Sequence, residues 1–158
     1  MTQRQNWPNL QEDDFILKDF RFGSGEVLDR LTLHYRTMGT ALRDADGAIT
    51  NAALLIHNTT GSGETWLSPS LADALFGKGQ PLDLNETFVV IPDMVGFGGS
   101  SKPSDGLRAK FPQYRYDDMV ESTHRLLTEG LGIRKLRLLL GISMGGMIVQ
   151  SMAINHPE

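Results

Sequence analysis

Gly141-Ile142-Ser143-Met144-Gly145 is the stretch of this 158-residue chain whose residue types and spacing best suit covalent chemistry. It fits the pattern G-x-S-x-G, which places a serine on a sharp turn when a strand precedes it and a helix follows. Glycine at both ends lets the strand and helix backbones approach closely, and the turn lifts the hydroxyl above the sheet. A serine so placed attacks an acyl carbon if backbone N–H groups point at the developing oxyanion and a base takes the hydroxyl proton. The Met144 amide, at the start of a helix whose dipole favours negative charge, is one such donor. A second is expected from the loop after an earlier strand, and His57-Asn58-Thr59-Thr60-Gly61-Ser62-Gly63 holds that place. A glycine-rich turn with a serine helix cap would give the same five letters, so the flanking elements must decide.

Other chemistries find less support. Gly96-x-Gly98 after Asp93 suggests a dinucleotide loop, but Ser101 stands where the third glycine belongs and no helical pattern follows at once. Gly77-Lys78 is followed by Gly79, which breaks the phosphate-loop pattern. No cofactor is expected. The histidines are His34, His57, His124 and His156, with no i, i+4 pair and no H-E-x-x-H, and the chain has no cysteine. No metal site, thiolate nucleophile or disulfide framework is expected. His34 falls in an alternating strand pattern and His124 on a helical one, which suits structural or solvated roles.

Fifteen Lys and Arg against nineteen Asp and Glu give a net charge of −4. Such a chain has no global attraction to nucleic acid or anionic membranes. Residues 1–13 read as a polar arm, and Met1–Pro8 lack the apolar stretch of a signal peptide or membrane span. A cytoplasmic protein with neither a nucleic-acid nor a membrane partner is the expectation.

Three apolar runs supply the elements that position the serine: Ala52-Ala53-Leu54-Leu55-Ile56, Phe88-Val89-Val90-Ile91 and Leu136-Arg137-Leu138-Leu139-Leu140. Runs of this length suit strands buried on both faces, and each ends at a glycine-rich segment. Before them, Phe15–Phe22 and Leu31–Tyr35 flank the turn residues Gly23-Ser24-Gly25-Glu26, which predicts an antiparallel hairpin. Asp117 and Asp118 open a helical pattern through Leu131, and Met147, Ile148, Met152 and Ala153 continue at helical spacing after Gly145. The predicted order is hairpin, strand, loop, strand, helix, strand, helix: an α/β domain over residues 14–158 with a mainly parallel sheet. Ligands in such sheets bind at the carboxyl ends of the strands.

Several stretches then point to a family. They are Leu33-His34-Tyr35-Arg36-Thr37-Met38-Gly39, Phe76–Asp83, Ser100–Ala109, Asp117-Asp118-Met119-Val120 and Gly141-Ile142-Ser143-Met144-Gly145-Gly146-Met147. With them the chain resembles the N-terminal part of an α/β-hydrolase, in the branch of homoserine O-acetyltransferases and related hydrolases. The resemblance implies Ser143 as nucleophile, the Thr59 and Met144 amides as oxyanion hole, Gly141 and Gly145 as elbow glycines, and a small acyl substrate. Asn58 stands where the branch has a small residue, Ile148 where the acetyltransferases have Gln, and the segment after Asp93 also differs. The last two departures favour hydrolysis of an ester or related acyl bond over acetyl transfer to homoserine, with a non-catalytic remnant as a third reading.

The resemblance also implies a triad in the order serine, acid, histidine. Fifteen residues follow Ser143. On a continuous helix His156 would lie about 20 Å from Ser143, far beyond the reach of a general base. The chain is therefore expected to be truncated, without its acid and histidine, inactive or nearly so alone, and prone to self-association through the open edge of its last strand.

Overall fold

The computed structural model describes Trp7 and residues 9–157. Its five strands are β1 (Gln11–Arg21), β2 (Val27–Met38), β3 (Ala52–Ile56), β4 (Phe88–Pro92) and β5 (Leu138–Gly141). They form one sheet in the order β1-β2-β4-β3-β5. β1, β2 and β4 pair antiparallel, and β4, β3 and β5 pair parallel. The hairpin is thus joined to a parallel half, as the sequence pattern predicts.

Burial on both faces explains the apolar runs of β3 and β4, whereas in β5 no residue is fully buried, against the expectation for the third run. Successive side chains of a strand point to opposite faces. In β3, Ala52, Leu54 and Ile56 join a core with Val90, Met119, Val120, Met144 and Ile148, whereas Ala53 and Leu55 join another with Val89, Ile91, Trp66, Ala72 and Phe76. Each buried leucine or isoleucine contributes about 1.5–3 kcal/mol, so polar residues on either face would be costly.

The first core is roofed by α2 (Tyr116–Arg125), which runs into a wider turn over Leu126–Gly130, and by α3 (Met144–Asn155). Gly132, at φ +68°, closes that turn in the left-handed region. The second core is covered by α1 (Pro69–Leu75) and the 3₁₀ turn Gly63–Leu67. The sequence pattern reads this crossover as loop, and the structure corrects it. Parallel strands need a long crossover. Pro69 starts the helix at a position that loses no hydrogen bond, while Ala72 and Phe76 bury one narrow stripe.

The boundary of the polar arm also moves. Gln11, Glu12 and Asp13 belong to β1, paired with Thr37, Arg36 and Tyr35. Their side chains are polar because this part of the strand is largely exposed, and Glu12 reaches Arg36 at 3.1 Å. Trp7 packs edge-on against Phe76 at 5.7 Å, while residues 1–6 and 8 of the arm lie outside the described residues. At the other edge β5 pairs, among the described residues, with β3 alone, and Leu138 is 39% exposed. Among the described residues no helix is long and apolar enough to cross a membrane.

Candidate active site

Ser143 lies between the end of β5 and the first residue of α3. Its backbone is at φ 54°, ψ −115°, a conformation that costs a non-glycine residue about 1–3 kcal/mol. The neighbouring backbones hold it there. Ile142 N–H donates to the Ile56 carbonyl at 3.1 Å, and Gly145 N–H to the Ile142 carbonyl at 2.9 Å. A Cβ on Gly141 would overlap the Gly145 carbonyl, and one on Gly145 would overlap the Ile56 carbonyl. The flanking glycines are therefore demanded by close approach, of the elbow to itself and of the elbow to β3.

Ser143 is exposed, and its side chain makes no capping bond to α3. Gly146 N–H is taken by the Ser143 carbonyl at 2.9 Å, while no hydrogen bond among the described residues takes the Met144 N–H. Thr59 is an exposed turn residue whose N–H is likewise unbonded. Ile56 pairs with Gly141 in the parallel register, so Thr59 and Ser143 leave neighbouring strands three and two residues past the same rung.

Three polar groups shape the loops around this point. Asn58 Nδ2 donates to Thr60 Oγ1 at 2.7 Å, and Asn58 Oδ1 accepts from Thr65 Oγ1 at 3.2 Å. Asn58, unusual by resemblance, thus knits the turn that carries Thr59. His57 is fully buried; its Nε2 accepts from Met94 N–H at 3.1 Å, and its Nδ1 lies 2.7 Å from the Asn58 carbonyl. A backbone N–H only donates, so Nε2 is unprotonated and Nδ1 bears the proton. Burial holds the His57 pKa below its ordinary value, against the opposing pull of the Asn58 carbonyl.

Asp93, also fully buried, is the third. Its carboxylate accepts from Gly63 N–H at 2.6 Å, Gly99 N–H at 2.8 Å and the Arg36 guanidinium at 2.9 Å. One side chain therefore fixes the loop after β3, the loop after β4 and strand β2. A Cβ on Gly98 would run into this carboxylate. The glycines that resemble a dinucleotide loop belong to a turn folded over Asp93. Sequence reading passes over Asp93 and Arg36, since they are 57 residues apart.

The four histidines separate clearly. His34 Nδ1 is 2.8 Å from Asp14 Oδ1, and β2 stands three strand spacings, about 14 Å, from β5. Both ring nitrogens of His57 are engaged. His124 and His156 stack against each other near the C-terminal end of α3, with the ring centroids 3.7 Å apart. Burial and the His156 ring lower the His124 pKa from its ordinary value. Among the described residues, none is placed as a base for Ser143. The expectation of no metal site overlooked one grouping, because His156 joins Glu121 and His124 only through the packing of α3 on α2.

A strained serine between a parallel strand and its helix, in a sheet ordered β1-β2-β4-β3-β5, defines the class. Residues 52–158 match the family described as alpha/beta hydrolase fold, and the chain belongs to that family. It is 35% identical over 145 residues to a probable acyltransferase of Methanothermobacter thermautotrophicus, covering 91% of this chain and 44% of that protein. It is 34% identical over 165 residues to homoserine O-acetyltransferase of Pelobacter propionicus, covering 94% and 43%. Among solved structures, an acetylester hydrolase of Corynebacterium glutamicum superposes with a TM-score of 0.79 at 26% identity, over 93% of this chain and 41% of that one. The chain thus spans less than half the length of the relatives it matches.

Proposed function

We propose that this chain supplies the nucleophile and the oxyanion donors of a serine acyl-transfer enzyme. Ser143 Oγ attacks the acyl carbon; the Met144 and Thr59 amides receive the oxyanion; a base from outside the described residues takes the proton. Collapse of the tetrahedral species expels the leaving group and leaves an acyl-enzyme, which an acceptor then relieves of its acyl group. The observation that supports this reading most is the Ser143 backbone, held at φ 54° by glycine contacts that bring it against β3.

Transfer of an acetyl group to an alcohol is the reading we favour for the acceptor step, since the two relatives above carry acyltransferase names. Both departures that favoured hydrolysis have packing explanations. Ile148 is fully buried on the core-facing side of α3, and the segment after Asp93 folds around its carboxylate. Hydrolysis stays as the second reading, supported by the acetylester hydrolase neighbour. Alone, the 158-residue chain should turn over little, because an unassisted serine hydroxyl is a weak nucleophile.

Labelling with a fluorophosphonate followed by peptide mass spectrometry tests the nucleophile. The adduct is expected on Ser143 and absent in Ser143→Ala, slow in this chain and faster by roughly 10³ or more in any longer form that contains the acid and histidine. An adduct on another serine, or none in such a longer form, would overturn the reading. With that form, the ratio of acetylated alcohol to free acetate from one acetyl donor separates transfer from hydrolysis.

A further inference from the structure

Glu121 and His124 are three residues apart on α2 and therefore share a face. His156 follows the last turn of α3 and lays its ring on His124, with centroids 3.7 Å apart and planes 7° from parallel. One donor atom from each of the three side chains lies within 4.8 Å of the other two. None of these side chains makes a hydrogen bond among the described residues. An imidazole binds a metal ion through the lone pair of an unprotonated ring nitrogen.

We propose that Glu121, His124 and His156 bind a single divalent transition-metal ion of the zinc class, clamping the C-terminal end of α3 to α2. Two imidazoles and a carboxylate form the donor set that zinc, cobalt and nickel accept, whereas magnesium and calcium prefer oxygen alone. Tetrahedral bonds of 2.0–2.1 Å put donor atoms about 3.4 Å apart. Glu121 is exposed and His156 half-buried. Because ring-nitrogen lone pairs lie in the ring planes, the His156 ring must turn out of the stack to share an ion with His124, and its partial exposure leaves room for that rotation. A cavity of about 570 Å³ opens beside the two rings, lined also by Arg134 and Lys135. It gives the fourth position to water or a small anion, and Arg134 and Lys135 favour the anion. Twelve residues of α3, about 18 Å of helix, separate this place from Ser143, so the proposal is independent of the acyl-transfer reading.

Titration of the tag-free 158-residue chain with Co²⁺, followed by Zn²⁺ displacement, tests it. One cobalt per chain is expected, with visible absorption of four-coordinate intensity that zinc abolishes. His124→Gln and His156→Gln should each weaken binding by about tenfold or more, Glu121→Gln by less, and Ser143→Ala not at all. Variants that lose the metal by losing the fold are distinguished on the unmodified sequence. There zinc should protect His124 and His156, and not His34, from diethyl pyrocarbonate. Absence of the cobalt band at millimolar metal, unchanged affinity in His156→Gln, or modification of both His124 and His156 that zinc does not slow would overturn the site.

Discussion

At the N-terminal end of α3 the buried histidine and aspartate of the neighbouring loops are held by several partners; at its C-terminal end the side chains of Glu121, His124 and His156 make no hydrogen bond among the described residues. His57 has both ring nitrogens engaged, and the Asp93 carboxylate accepts three hydrogen bonds from three separate segments. The Trp66 indole N–H is the exception, a buried donor without a partner among the described residues. Around His124 and His156 there is ring stacking and an open cavity in place of hydrogen bonds. The difference teaches where rigidity is required. A strained serine persists only where its surroundings over-determine it, whereas donor atoms that await a ligand must keep their lone pairs free.

Removing Asp93 should have the largest effect. Asp93→Ala leaves Arg36 buried with only peripheral carboxylates and frees two loop amides, a loss of about 3–5 kcal/mol. Urea unfolding measures it, and Asp93→Asn should lose less because the amide oxygen still accepts. A loss below about 1 kcal/mol in the alanine variant would show that the three segments hold together without Asp93.

Gly145→Ala comes next, because the new Cβ meets the Ile56 and His57 carbonyls and the elbow must move off β3. About 1–3 kcal/mol should be lost, with fluorophosphonate labelling of Ser143 lost as well. Equal labelling would mean that the close approach does not set the serine. In the opposite direction, Ser143→Gly relieves the positive φ and should stabilise the chain by about 1 kcal/mol. An unchanged or lowered midpoint of unfolding would remove strain from the account.

The smallest effect is a pH slope. The folded-state pKa of His57 is lowered, so above its ordinary value of 6.5 both states are neutral and nothing is lost. As pH falls below 6.5 the unfolded chain takes up a proton that the folded chain refuses, and stability declines. His124 adds in the same direction. Urea midpoints between pH 7.5 and 5.5 should fall with pH in the unmodified chain. His57→Asn should flatten that fall while being less stable throughout, and an unaltered slope would exclude His57 as a source.

The elbow and the parallel strands were legible in the sequence because their signals are local: largely apolar runs of four or five residues, then glycines at fixed offsets from Ser143. α1 was not, since seven residues with one buried position give little periodicity. Nor were the two polar clusters. Asp93 meets Arg36, Gly63 and Gly99 across a folded sheet, and His156 meets His124 across two helices. No spacing along the chain encodes such meetings.

The most direct test is a crystal structure of the chain, or of a longer form, with a phosphonate on Ser143. The phosphonyl oxygen stands in for the oxyanion. The account predicts that it lies within about 2.7–3.1 Å of both the Met144 and the Thr59 amide nitrogens. An oxygen turned to solvent, or one that reaches Met144 while Thr59 stays beyond hydrogen-bond distance, would contradict the oxyanion site proposed here.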